Sequence, residues 1–143
     1  MSEAHAPLLE AEPPAPPRAI VAAHGQLGAG MVSAVAQITG RGSVFVPLSN
    51  AGLGREQLEA LLRERLDETG VRIVFTDLPA GSWTIAARRL QREQPELVVV
   101  TGVNLAMLLE FVFHESVTPL EAAAAAVEKG RSAMLVAGGT VAH

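Results

Sequence analysis

Residues 18–49 read RAIVAAHGQLGAGMVSAVAQITGRGSVFVPLS, and this stretch decides the fold. Arg18–Ala23 is a short apolar run without polar alternation, as expected of a central strand covered on both faces. From Gly28 to Thr39, Met31, Val35 and Ile38 fall at helical spacing before Gly40, a natural C-terminal stop. Ser43–Leu48 is a second β-rich run. Its Pro47 has no N–H to give to a ladder, which puts this strand at a sheet edge or ends it just before the proline. Strand, helix and strand in about thirty residues make one βα unit followed by the start of the next.

The alternation continues outward. A helix is expected over Arg55–Glu68, with Leu58, Leu61, Leu62 and Leu66 on one face, then a strand over Val71–Thr76. A helix over Trp83–Gln94 with Ser82 as N-cap, a strand over Glu96–Thr101 and a helix over Leu105–His114 follow. Thr118 and Pro119 open a last helix that Gly130 is expected to end, and 133–137 read as a short final strand. Strands joined through helices lie parallel with right-handed crossovers, so the expected fold class is α/β, an open doubly wound and mostly parallel sheet. Residues 1–17, rich in Pro and Ala, read as a flexible arm, and 18–143 as one domain.

Composition narrows the function. The chain has 143 residues, no cysteine, and 11 Lys plus Arg against 15 Asp plus Glu, a net charge of −4. A disulfide framework, a thiolate nucleophile and a cysteine-ligated zinc site are excluded, and a reducing compartment is the expected home. The acidic balance argues against nucleic acid. Every apolar run is broken well short of the roughly 18–20 residues a bilayer span needs.

In open α/β sheets, ligands bind outside the carboxyl ends of the strands, where strand order switches. Two of those ends carry reactive side chains: His24 follows the first strand, with Gly25 beside it permitting close approach, and Asp77 follows the third. In a 2-1-3-4 order these strands are neighbours, so imidazole and carboxylate meet. A carboxylate on one ring nitrogen fixes the tautomer and frees the other nitrogen to act as base, nucleophile or ligand. The loop after Asp77 runs into a helix whose first N–H groups favour an anion, with the Ser82 hydroxyl beside them. Together these describe a phosphoryl site on histidine. Taken singly, each residue has a structural role open to it: His24 as a satisfied polar residue, Asp77 in an Asx-turn, Ser82 as a helix cap. Asn104 is expected to cap the following helix. Trp83 is either a docking or lid residue or a packing residue. No two of the histidines have ligand spacing with a nearby carboxylate, so no metal site is expected; His5 and His143 read as inert, and His114 as a residue near a helix end. The glycines at 25, 28 and 30 do not form a dinucleotide or P-loop motif.

Three stretches resemble a known family: Ala19–Gly25, Thr76-Asp77-Leu78 with Gly81-Ser82, and Thr101–Leu108. They are similar to the enzyme IIA domain of the mannose-type bacterial phosphoenolpyruvate:sugar phosphotransferase system, and with the element order the likeness covers about 18–138. The resemblance implies that His24 accepts a phosphoryl group from the phosphocarrier protein HPr and passes it to a IIB component, reaching the membrane only through IIC and IID. It implies His24 and Asp77 as the catalytic pair, Ser82, Gly81 and Gly25 around the phosphoryl group, and no cofactor. It implies sheet order 2-1-3-4 with an antiparallel last strand, here 133–137, exchanged in a cytoplasmic homodimer. The chain departs from the family loop Thr-Asp-Leu-Phe-Gly-Gly-Ser-Pro at Pro79, Ala80 and Trp83, and Ala80 would tolerate a positive φ poorly. Two other readings stand beside the relay: a regulatory phosphohistidine module of an incomplete phosphotransferase system, and a small α/β binding protein whose His24 is never modified.

Overall fold

The computed structural model describes residues 13–140. Its elements are β1 (Ala19–Ala23), α1 (Leu27–Thr39), β2 (Phe45–Ser49), α2 (Arg55–Thr69), β3 (Ile73–Thr76), α3 (Ser82–Glu93), β4 (Val98–Val100), α4 (Leu105–Val112) and α5 (Pro119–Ser132). The four strands form one parallel sheet in the order β2-β1-β3-β4, as expected.

Alternate strand residues supply two cores, because successive side chains point to opposite faces. Ala19, Val21, Phe45, Ile73, Phe75 and Val100 face α1, α4 and α5, whereas Ile20, Ala22, Leu48 and Val74 face α2 and α3. All five residues of β1 are buried, which explains why its sequence carries no polar alternation. Of the two placements that Pro47 allowed, β2 takes the sheet edge and runs through the proline, which lies opposite Val21 and is exposed.

Several boundaries differ from the sequence reading. Gly42–Val44 form a 3₁₀ turn rather than the start of β2, and the Arg18 N–H donates to the Val44 carbonyl at 2.7 Å. Gly130 does not stop α5. It sits inside the helix where a Cβ would lie 2.5 Å from Met107 Cγ, so its role is close packing of α5 on α4. Asn104 caps α4 as expected, its Oδ1 accepting from Met107 N–H at 3.0 Å, and its amide also donates to the Gly130 carbonyl at 3.1 Å. The antiparallel strand expected over 133–137 is not formed within the chain. α5 runs to Ser132, and Met134, Leu135 and Val136 are 66%, 74% and 97% exposed, with no ladder partner to order them. Of the expected arm, 13–17 form neither helix nor strand, and the Ala15 carbonyl accepts from the Ser43 hydroxyl at 2.7 Å. Residues 1–12, with His5, and 141–143, with His143, lie outside the described residues.

Candidate phosphoryl site

Adjacency of β1 and β3, with Ala22 opposite Thr76, carries the two side chains that follow these strands to the same place. His24 Nδ1 lies 2.8 Å from Asp77 Oδ2, and the same oxygen accepts the His24 backbone N–H at 2.9 Å. Gly25 turns the chain at φ 56°, a conformation that costs glycine little, and its N–H donates to Asn50 Oδ1 at 3.0 Å. The imidazole is therefore held from β3 and its following peptide from the loop after β2.

The pair is asymmetric. The His24 side chain is 43% exposed and the Asp77 side chain 9%. Burial pushes the Asp77 carboxyl up, but hydrogen bonds from the His24 ring, the His24 backbone and its own backbone N–H outweigh it and hold the group below the usual carboxylate range. An ionised Asp77 only accepts, so Nδ1 carries the proton in the neutral ring and Nε2 keeps its lone pair. Among the described residues no hydrogen bond engages Nε2. Asp77 Oδ1 is buried and has no partner there either, so the carboxylate keeps charge with which to stabilise an imidazolium.

Ser82 is the first residue of α3 rather than its N-cap; Gly81 takes the cap position and offers no side-chain hydrogen bond. The first N–H groups of α3 thus lack a side-chain acceptor, and among the described residues no hydrogen bond occupies the Ser82 hydroxyl. Such a helix start accepts an anion. Gly81 borders the ring, since a Cβ there would sit 3.3 Å from His24 Cε1. Ala80 is not strained, because no described residue other than glycine has a positive φ. A cleft of about 390 Å³ beside the helix start is lined by Asn50, Leu53, Arg55, Leu58, Ala80, Ser82 and Ile85. Asn50 escaped the sequence reading; the β1–β2 pairing, with Ala23 opposite Ser49, brings it beside Gly25, and the strand order was the one signal that pointed there.

The remaining candidates lie elsewhere. His114 Nε2 is 2.7 Å from Glu110 Oε2 on α4. Its carbonyl accepts from Arg18, which precedes β1, so it belongs to the opposite end of the sheet. Among the described residues no three His, Asp or Glu side chains are grouped to hold a metal ion.

The family model EIIA-man, described as PTS system fructose IIA component, matches residues 18–128. The chain belongs to this family. It is 37% identical over 101 residues to the sorbose-specific EIIA component of a phosphotransferase system from Klebsiella pneumoniae, covering 68% of this chain and 73% of that protein. The mannose/sorbose-specific IIA subunit from Enterococcus faecalis superposes with a TM-score of 0.76 at 27% identity, covering 90% of this chain and all of that one. A phosphotransferase EIIA component from Streptococcus agalactiae shares the fold, with a TM-score of 0.74 at 21% identity over 83% of this chain and 95% of that one. As a mannose-type IIA component, the chain falls in a family of phosphotransferases of sugar transport.

Proposed function

We propose that this IIA component accepts a phosphoryl group on His24 from HPr and passes it to a IIB component. The observation that carries the reading is the exposed His24 ring, held through Nδ1 by a buried carboxylate with Nε2 unengaged. In the acceptance step the Nε2 lone pair bonds to phosphorus while the bond from phosphorus to the donor's histidine nitrogen breaks, its electron pair returning to the donor ring. His24 keeps its Nδ1 proton and becomes a phosphorylated imidazolium, whose charge Asp77 offsets. The Ser82 hydroxyl, the N–H groups at the start of α3 and the space left by Gly81 and Gly25 receive the phosphoryl oxygens. Transfer to IIB runs the same step in reverse on a new acceptor.

A homodimer completes the reading. β4 is an open sheet edge, and a cleft of about 810 Å³ along it is lined by Val98, Val99, Val100, Thr101, Leu120 and Val127 among others. The exposed apolar segment 134–136 of a second copy suits that edge, since pairing would satisfy the strand and cover both apolar surfaces. Among the described residues no helix is long and apolar enough to cross a membrane. We assign the protein to the cytoplasm, where HPr and IIB would meet it.

The test is incubation with enzyme I, HPr and radiolabelled phosphoenolpyruvate, beside His24→Ala. Acid-labile, base-stable label on the wild type alone is expected. An unlabelled wild type in the presence of phosphorylated HPr would overturn the proposal.

A further inference from the structure

The peptide that joins Ala23 to His24 is gripped at both of its polar atoms. Its N–H, that of His24, donates to Asp77 Oδ2 at 2.9 Å. Its carbonyl, that of Ala23, accepts the indole N–H of Trp83 at 3.2 Å. The β1–β3 ladder ends at Ala22 and Thr76, so on this side of β1 Ala23 has no strand partner, and the indole takes that place. A trans peptide is planar with its C=O and N–H pointing in opposite directions, so one bond at each end fixes the rotation of the plane. That rotation sets the direction in which His24 leaves the backbone.

The indole is itself immobile. Trp83 is 1% exposed and packs in the core between the sheet and α2 and α3, with Ala86, Ala87 and Leu90 in the same cluster. The neighbouring Thr84 anchors the loop that carries Asp77: its hydroxyl donates to the Leu78 carbonyl at 2.5 Å, so at 2.6 Å the Thr76 hydroxyl must be the donor to Thr84. The first turn of α3 thus holds both members of the His24–Asp77 pair through the chain around them.

We infer that Trp83 is a positioning residue for His24, orienting the nucleophile through the Ala23 carbonyl while Asp77 orients it through its own N–H and ring. The inference rests on the reading of His24 as phosphoryl acceptor, and it concerns a position where the family pattern has proline. It also accounts for a full-sized indole at the second residue of a helix beside the site, where packing alone would leave the nitrogen unexplained.

Trp83→Phe keeps an aromatic ring and removes the donor. Phosphoryl acceptance from phosphorylated HPr is expected to slow about three- to tenfold. In the unphosphorylated variant, long-range proton–nitrogen NMR of the His24 ring is expected to change from a single Nδ1–H tautomer to a mixture. Leu66→Val, which loosens the same core without touching that peptide, is expected to leave the tautomer alone. A wild-type rate, an unmixed tautomer in Trp83→Phe, or equal mixing in Leu66→Val would overturn the inference. Should Trp83→Phe not fold, the indole N–H resonance of the wild type decides, because the chain has one tryptophan. A shift on phosphorylation supports the role, and an unmoved resonance refutes it. If the wild type takes no label at all, the acceptor reading falls, while the tautomer of the unphosphorylated ring still tests the positioning.

Discussion

The two ends of the sheet each carry a histidine on a carboxylate at nearly the same distance, 2.8 Å for His24 and Asp77 and 2.7 Å for His114 and Glu110. Their surroundings differ in every other respect. Glu110 lies on α4, four residues before His114, which follows the helix end, and is 30% exposed, so solvent screens the pair. Asp77 reaches His24 across two strands, is 9% exposed, and takes the His24 backbone N–H as well as the ring. A helix start without a side-chain cap opens beside His24, whereas the end of α4 near His114 presents carbonyls, to which Arg18 donates. A His–carboxylate distance alone therefore says little about chemistry. Burial of the carboxylate and the polarity of the adjacent helix end separate a charge-stabilising site from a surface pair.

The widest separation between the two ends should come from removing each imidazole. His24→Ala is expected to abolish phosphoryl acceptance, and His114→Ala to leave its rate unchanged, both measured by labelling from phosphorylated HPr. Label on His24→Ala equal to wild type would mean that His24 is not the acceptor.

Replacing the carboxylates comes next. Asp77→Asn still offers an oxygen to Nδ1–H but no charge for the imidazolium, and acceptance should fall about 10²-fold, the scale of one lost electrostatic contact at a reacting centre. Glu110→Gln should not alter the rate. The two should also diverge in acid. Because the folded Asp77 carboxyl lies below its unfolded value of about 3.9, its stabilisation is present above that pH and is lost as pH falls through the folded value. Asp77→Asn should therefore flatten the acid limb of a stability–pH curve below about pH 4. An unchanged limb would show that Asp77 gains nothing from His24 on folding.

How far this contrast was legible beforehand follows from which contacts are local. The strands were readable because β1 and β3 are buried on both faces and so carry unbroken apolar runs, and His24 and Asp77 each follow such a run directly. Helix ends were less so. Glycine predicted a stop at 130, but packing against Met107 used that glycine for closeness instead. Ser82 looked like a cap, yet Gly81 adopts the extended cap conformation and shifts the helix start by one residue. The contacts of Asn50, Trp83 and Thr84 gave no signal in their spacing, because their partners sit at or just past the ends of β1 and β3: Gly25, Ala23, and Thr76 with Leu78. The segment 133–137 has strand composition, but strand formation needs an edge to pair with, and one copy of the chain provides none that it occupies.

The smallest expected effects belong to the end of the sheet away from His24, and they concern stability alone. The Arg18 guanidinium donates to the carbonyls of Phe111, Val112 and His114 at the end of α4 and lies 4.3 Å over the Phe111 ring. A cation in that place meets the negative end of the helix and adds a donor to the carbonyls there. Arg18→Met keeps the apolar stem and removes the donors, and should cost about 1–2 kcal/mol in urea unfolding. Glu110→Gln, which weakens only a half-buried local pair four residues apart, should cost less than about 0.5 kcal/mol. The order of these two values tests the same point as the kinetics. If Glu110→Gln destabilised more than Arg18→Met, the His114 pair would not be the screened surface contact described here. If both losses matched the expected order and acceptance at His24 stayed at its wild-type rate, the two ends would be separable, one holding the sheet to α4 and the other free to carry the transfer.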